Sequence, residues 1–128
     1  MAKKNYNVTL KAGYILVKFE EHAVLTYEGL IHAVDEETAL PEYVKVGSLW
    51  DFRTATVSKD FSYKTVMDMV NYLKRKATPE WISKRVSLLH DGQVVFGMLK
   101  MFQILVEDMP VKFKLFLEEE EAVRWVKG

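Results

Sequence analysis

Apolar and polar residues alternate with a period of about two in some segments of this chain and with a helical period of about 3.6 in others, and the two kinds of segment alternate along the sequence. Near the N-terminus, Tyr6, Val8 and Leu10 alternate with polar residues, which predicts a half-exposed β-strand. The segment Lys11–Gly13 is predicted to form a turn, and the mostly apolar stretch Tyr14–Phe19 follows it. Two strand patterns joined by a short glycine-containing turn predict a β-hairpin.

Three further buried strands are predicted downstream, and helices with apolar stripes alternate with them. The strands are Val46–Phe52, Arg85–Leu89 and Val111–Leu117. Thr26 and Ser62 precede the first two helical patterns and are predicted to cap them, because a hydroxyl oxygen can accept a hydrogen bond from a free backbone N–H group in the first turn. The order ββαβαβαβα predicts an α/β fold with a mostly parallel five-stranded sheet, an antiparallel first strand and four helices.

Composition narrows the classes of function. A chain of 128 residues is expected to form a single domain, residues 1–128. Eighteen basic residues balance eighteen acidic ones, which disfavours nucleic acid as a partner. There is no cysteine, no two histidines have metal-binding spacing, and no phosphate loop is present, so neither a metal nor a cofactor is expected. The absence of a signal peptide and of a membrane-spanning apolar run predicts a cytoplasmic protein without a transmembrane segment.

The third helix, predicted over Val94–Glu107, is apolar over more than half of its circumference. A helix that rests on one sheet face needs a stripe of only about 100°. The excess could serve extra core packing, a cavity for an apolar or lipid-like ligand, or an interface with a protein partner. The candidate ligand-binding residues, chosen by position and bulk, are Trp50, Phe96, Met98, Met101 and Phe102.

The same width of the apolar surface, together with zero net charge, predicts self-association as a two-fold homodimer. Phe96 and Leu99 are predicted to lie on the outer margin of the third helix and to form the contact. Replacing both with Glu is therefore expected to give soluble monomers.

Two pairs of polar residues follow strands that are expected to be neighbours. Asp51 and Arg53 follow one strand, and His90 and Asp91 follow another. His90 with a carboxylate could act in general acid–base chemistry, and Arg53 could hold an anion. The alternative is structural, with an Asp–Arg ion pair and an Asp-Gly turn before the third helix.

A basic stretch, Lys74–Lys76 followed by Trp81, Lys84 and Arg85, also has two interpretations. Its cations could contact phosphates or lipid headgroups. Alternatively, they complement the dipole at the end of a helix.

Three segments carry a family resemblance. They are Trp50–Arg53 at a strand end, Phe96–Phe102 in the third helix and the closing Lys114–Trp125. With the element order, they make the chain resemble the SpoIIAA-like family of STAS domains, which are related in fold to CRAL-TRIO lipid-carrier domains. The likeness runs from about Gly13 to Trp125. It implies a bacterial cytoplasmic domain that binds a protein partner or an apolar ligand.

In anti-sigma-factor antagonists of this fold, a serine followed by glycine opens the second helix and is phosphorylated. The corresponding segment here, Ser58–Lys64, has no Ser-Gly pair, which leaves Ser58 and Ser62 as phosphorylation candidates. The leading hypothesis is a non-enzymatic binding module. The alternatives are a phosphorylation-linked regulator and a small enzyme that uses His90 with Asp91 or Asp51.

Overall fold

A computed structural model of the protein describes residues 4–93 and 95–128. Short 3-10 helices at Pro41–Val44 and Pro79–Trp81 accompany the regular elements. The strands and helices, in chain order, are β1 (Tyr6–Lys11), β2 (Tyr14–Phe19), β3 (Val24–Leu25), α1 (Tyr27–Thr38), β4 (Gly47–Asp51), β5 (Thr56–Val57), α2 (Tyr63–Lys76), β6 (Arg85–Leu89), α3 (Phe96–Leu105), β7 (Lys112–Phe116) and α4 (Glu119–Lys127).

The main sheet has five strands in the order β1-β2-β4-β6-β7. Only the β1–β2 pair is antiparallel, with Lys11 opposite Tyr14 at the hairpin turn, and the other three pairs are parallel. Gly13 in that turn has a φ of 91°, a conformation that favours glycine. The predicted α/β architecture is confirmed. A small parallel pair, β3 with β5, was not predicted, because two-residue strands show no period.

Alternate residues of the central strands face opposite helical layers. Trp50 and Leu88 face the layer that contains α1, α2 and α3, whereas Leu49 and Leu89 pack with the α4 residue Ala122. At Gly47 the layers meet closely, because a Cβ atom there would lie 2.7 Å from the Val126 carbonyl oxygen. Glycine at this position therefore lets α4 approach the strands.

Both predicted helix caps are confirmed. The Thr26 hydroxyl accepts a hydrogen bond from the Gly29 N–H at 3.0 Å, a contact that typically contributes about 1 kcal/mol to stability. Ser62 is the N-cap residue of α2, and its backbone N–H donates to the Thr65 hydroxyl at 3.1 Å. These caps fix where α1 and α2 begin, and with them the wall positions described below.

The third helix differs from its prediction. It runs from Phe96 to Leu105, and Val94, where it was predicted to begin, lies outside the described residues. The buried positions around it are Val95, Leu99 and Val106. The prediction that Leu99 lies on the outer margin is therefore wrong. The core-facing stripe follows residues 95, 99, 102 and 106, so the centre of the wide apolar arc lies at Leu99.

A candidate ligand cavity containing a buried carboxyl group

An apolar cavity of about 80 Å³ lies between the sheet and the layer of α1, α2 and α3. By the same measure one water molecule needs about 10–15 Å³, so the space has room for several non-hydrogen atoms. Strands β4, β6 and β7 form the floor of the cavity, through Trp50, Val86, Leu88 and Phe113. The cavity lies on the face of the sheet that α1, α2 and α3 cover, rather than at the strand ends.

Each of the three helices contributes a wall. From α1 come Leu30, Val34 and Glu37, and from α2 come Val66, Met69 and Leu73. The α3 wall is Met98, Leu99 and Phe102. The α1 and α2 residues recur at spacings of three, four and seven, as expected for one face of a helix, and α3 adds the adjacent pair Met98 and Leu99 to that pattern.

Three of the five predicted ligand-binding residues line this cavity: Trp50, Met98 and Phe102. The other two do not. Met101 packs between α2 and α3 with Val66 and Val70 instead. Phe96 is 39% exposed, and its ring centre lies 5.0 Å from that of His90. At 100° per residue, positions 98, 99 and 102 lie within an arc of about 100°, and positions 96 and 101 each lie about 60° outside that arc, on opposite sides.

Glu37 is the charged residue of this cavity, and sequence reasoning missed it. Its side chain is only 3% exposed, and Oε2 accepts a hydrogen bond from Trp50 Nε1 at 3.2 Å. The signal was readable: Glu37 follows Leu30 by seven positions and Val34 by three, which places it on the apolar face of α1. An acid on a core-facing stripe is rare unless it is paired.

A buried lysine stands near this carboxyl group. The Lys84 Nζ donates hydrogen bonds to the carbonyl oxygens of Tyr43 and Val46, both at 2.7 Å, and lies 3.7 Å from the Tyr43 ring centre. Lys84 is thus a core residue, and neither interpretation of the basic stretch, a headgroup contact or a helix-end cation, describes it. Among the described residues, Glu37 and Lys84 form no ion pair within 4.0 Å.

Burial dominates the protonation of both groups. It raises the pKa of the Glu37 carboxyl, and the Ser48 hydroxyl, the Lys84 ammonium and the Trp50 indole oppose that rise only in part. Burial likewise lowers the pKa of Lys84 to about 8, against the attraction of Glu37. The Ser48 hydroxyl faces the carboxyl group but falls short of hydrogen-bond geometry, which leaves Oγ without a partner among the described residues.

At the strand ends, Asp51 and Arg53 form a two-pronged ion pair. Arg53 Nε donates to Asp51 Oδ1 at 3.0 Å and Nη2 donates to Oδ2 at 2.8 Å, while Nη2 also reaches Glu119 Oε1 at 2.6 Å. Burial of Asp51 acts to raise its pKa, but the hydrogen bonds and charge of Arg53 outweigh burial and lower it. The guanidinium group is therefore committed to carboxylates of its own chain.

His90 and Asp91 shape the turn before α3. His90 is 3% exposed, and its Nδ1 accepts a hydrogen bond from the Gly92 N–H at 2.9 Å. Asp91 Oδ1 accepts one from the Gln93 N–H, also at 2.9 Å. Burial lowers the pKa of His90 against the opposing charge of Asp91. Within the described part of the chain, no carboxylate lies within 4.0 Å of the His90 ring nitrogens.

The phosphorylation candidates differ in solvent access: Ser62 is exposed at the start of α2, and Ser58 is half-buried.

Over residues 4–93 and 95–128, no three His, Asp or Glu side chains are grouped closely enough to hold a metal ion. None of the helices in the same ranges is long and apolar enough to cross a membrane.

Comparison with known proteins identifies the fold. No protein-family model and no curated protein matches the chain. Among solved structures, the chain is similar to an uncharacterised protein of the DUF3478 family with a SpoIIAA-like fold from Shewanella loihica PV-4. The likeness covers 94% of this chain and 91% of the other, at 16% sequence identity and a TM-score of 0.55. The chain therefore has a SpoIIAA-like fold, as the sequence resemblance implied.

Proposed function

We propose that the protein is a non-enzymatic binding module that takes a small apolar ligand into the cavity between the sheet and α1, α2 and α3. The observation that carries the proposal is the lining: the cavity walls are almost entirely aliphatic and aromatic, with Glu37 as the one carboxylate among the described lining residues. Sites for small molecules are typically apolar with a few well-placed polar groups.

Two methionines give the lining room to adapt. Met69 on α2 and Met98 on α3 both face the cavity. Their unbranched side chains can change shape around a ligand at low cost. Each CH₂ group moved from water into such a space contributes about 0.8 kcal/mol. Six or seven carbons therefore contribute about 5–6 kcal/mol before the cost of immobilisation, so the Kd is expected to be on the order of 1 mM or weaker.

Toluene is a suitable first probe, because it has seven carbons and no polar atom. Saturating toluene is expected to raise the Tm and change the tryptophan fluorescence, since Trp50 and Trp81 line the cavity. Val86→Phe, which fills the floor, is expected to abolish both responses. Val123→Phe adds the same volume on α4, outside the lining, and should preserve them.

Val34→Phe is a second filling variant, for use if Val86→Phe does not fold. A wild-type protein that shows no saturable response to toluene would contradict the proposal. So would a response that survives in a folded variant with a filled cavity.

The other hypotheses stay predictions with their own tests. For the phosphorylation-linked regulator, the exposed hydroxyl of Ser62 is the more accessible acceptor, and mass mapping after incubation with kinases tests it. The enzyme hypothesis requires His90 to meet a carboxylate partner, and its Nδ1 already accepts the Gly92 N–H. A cytoplasmic location and a protein partner remain predictions.

A further inference from the structure

The polar groups in the cavity wall and just behind it are not equivalent. The Trp50 N–H is used by Glu37 Oε2, and Lys84 is turned toward two backbone carbonyls. Trp50 donates a hydrogen bond to one oxygen of the Glu37 carboxyl group, and the Ser48 hydroxyl, which has no other partner among the described residues, is a second donor beside it. Two donors do not use all of the lone pairs of the two carboxyl oxygens. Glu37 therefore keeps acceptor capacity at the wall of an otherwise apolar space.

This unused capacity is costly when the cavity holds only hydrocarbon. A buried polar group without enough hydrogen bonds destabilises the folded state, and Glu37 is 3% exposed. A ligand that brings its own donor would supply the missing bond. Resting on the proposed function, we infer that the cavity selects an apolar ligand that carries a neutral hydrogen-bond donor, such as a hydroxyl group, and places that donor on Glu37.

The same arrangement disfavours ligands with a carboxylate head, such as free fatty acids. An anion beside Glu37 would bring a second negative charge or require a shared proton, in a space where burial already opposes charge. The one buried cation nearby, among the described residues, is Lys84; two carbonyl oxygens use two of its three N–H donors, and Lys84 does not line the cavity. An alcohol needs no counter-ion, and its hydroxyl group can donate a hydrogen bond to the Glu37 carboxyl group.

Three probes of one ring size separate these alternatives: toluene, benzyl alcohol and benzoate. Without a partner for its hydroxyl, benzyl alcohol must bind more weakly than toluene, because burial of an unpaired hydroxyl costs free energy. In the wild type we expect benzyl alcohol to bind at least as tightly as toluene, and benzoate to bind most weakly. Isothermal titration calorimetry or tryptophan fluorescence gives the three Kd values at neutral pH.

Variants at position 37 assign the preference to the carboxyl group. Glu37→Met keeps the length of the side chain but removes the acceptor, so the binding of benzyl alcohol should weaken about 5- to 150-fold relative to toluene, the range for leaving a buried hydroxyl without a partner. Glu37→Gln cannot carry a negative charge at any pH and should narrow the gap between benzoate and toluene. Glu36→Gln, at an exposed neighbouring position, is the matched control and should change neither ratio.

The outcomes distinguish this inference from the proposed function. If toluene binds and benzyl alcohol binds more weakly than toluene in the wild type, the proposed cavity is supported and the donor-selective role of Glu37 is wrong. The role is also wrong if benzoate binds best, or if a folded Glu37→Met variant keeps the wild-type preference. If none of the three probes binds, the proposed function fails, and this inference fails with it.

Discussion

The indole nitrogen of Trp50 and the carboxyl group of Glu37 are joined by a hydrogen bond of 3.2 Å that ties β4 to α1 across the floor of the cavity. Both side chains are buried. Trp50→Phe keeps an aromatic floor but removes the donor, so it should lower the free energy of unfolding by about 1–3 kcal/mol. Urea unfolding measures the loss.

Trp125→Phe is the matched control for that experiment. Trp125 is half-buried on the α4 side of the sheet, and its indole donates no hydrogen bond to another described residue. Its replacement should cost clearly less than that of Trp50. Equal losses in the two variants would mean that the Trp50–Glu37 bond contributes little.

The raised pKa of Glu37 predicts a specific dependence of stability on pH. Because the folded-state pKa lies above its ordinary value of 4.5, the contribution of Glu37 is fully present below that value and is lost as pH rises through the folded-state pKa. The wild type should therefore lose stability relative to Glu37→Gln between pH 4 and pH 8. Urea unfolding of both proteins across this range gives the difference, and a difference that grows in favour of the wild type would reverse the assigned sign.

The Asp51–Arg53 pair predicts the opposite dependence. The pKa of Asp51 is lowered from 3.8, so its contribution is present above that value and is lost as pH falls through the folded-state pKa. At pH 7, Arg53→Ala should cost about 1–3 kcal/mol, because it leaves a buried carboxylate without its partner. The cost should shrink toward pH 2. Glu119→Gln, at an exposed carboxylate, should cost less than about 1 kcal/mol.

Two residues of α3 should respond very differently to truncation. Leu99 is 3% exposed and Phe96 is 39% exposed. Leu99→Ala should cost about 2–5 kcal/mol and Phe96→Ala less than about 1 kcal/mol, as thermal or urea unfolding can measure. Similar costs at both positions would mean that the helix faces are assigned wrongly.

The burial of Leu99 changes what is expected of the variants that test the predicted homodimer. Leu99 is a core residue, so the double replacement with Glu is expected to unfold the protein rather than to give soluble monomers. The exposed apolar side chains of α3 in the described structure are Phe96 and Ile104. Self-association stays a prediction, and Phe96→Glu in sedimentation equilibrium tests it. A wild type that is monomeric at high concentration would contradict it.

Much of the fold could be read from the sequence because its elements are long enough to show a period. The hairpin, the central strands and the caps at Thr26 and Ser62 all follow from local patterns. The burial of Leu99 did not, because α3 is apolar on so many sides that its pattern does not identify one inner face.

The candidate site was predictable only in part. Bulk and helical position were enough to select Trp50, Met98 and Phe102. Glu37 and Lys84 were missed because charged residues usually face water, and their burial depends on partners far apart in the chain. Tertiary packing, rather than local spacing, determines that these two charged residues are buried.

Methionine-methyl NMR tests the central claim, binding in this cavity, most directly. With ¹³C-labelled methionine methyl groups, a toluene titration should shift the Met69 and Met98 signals together and to saturation, since both side chains line the cavity. The signals of Met101 and Met109, which lie outside the lining, should shift much less. Absence of a saturable shift at Met69 and Met98, or equal shifts at all four, would contradict the account.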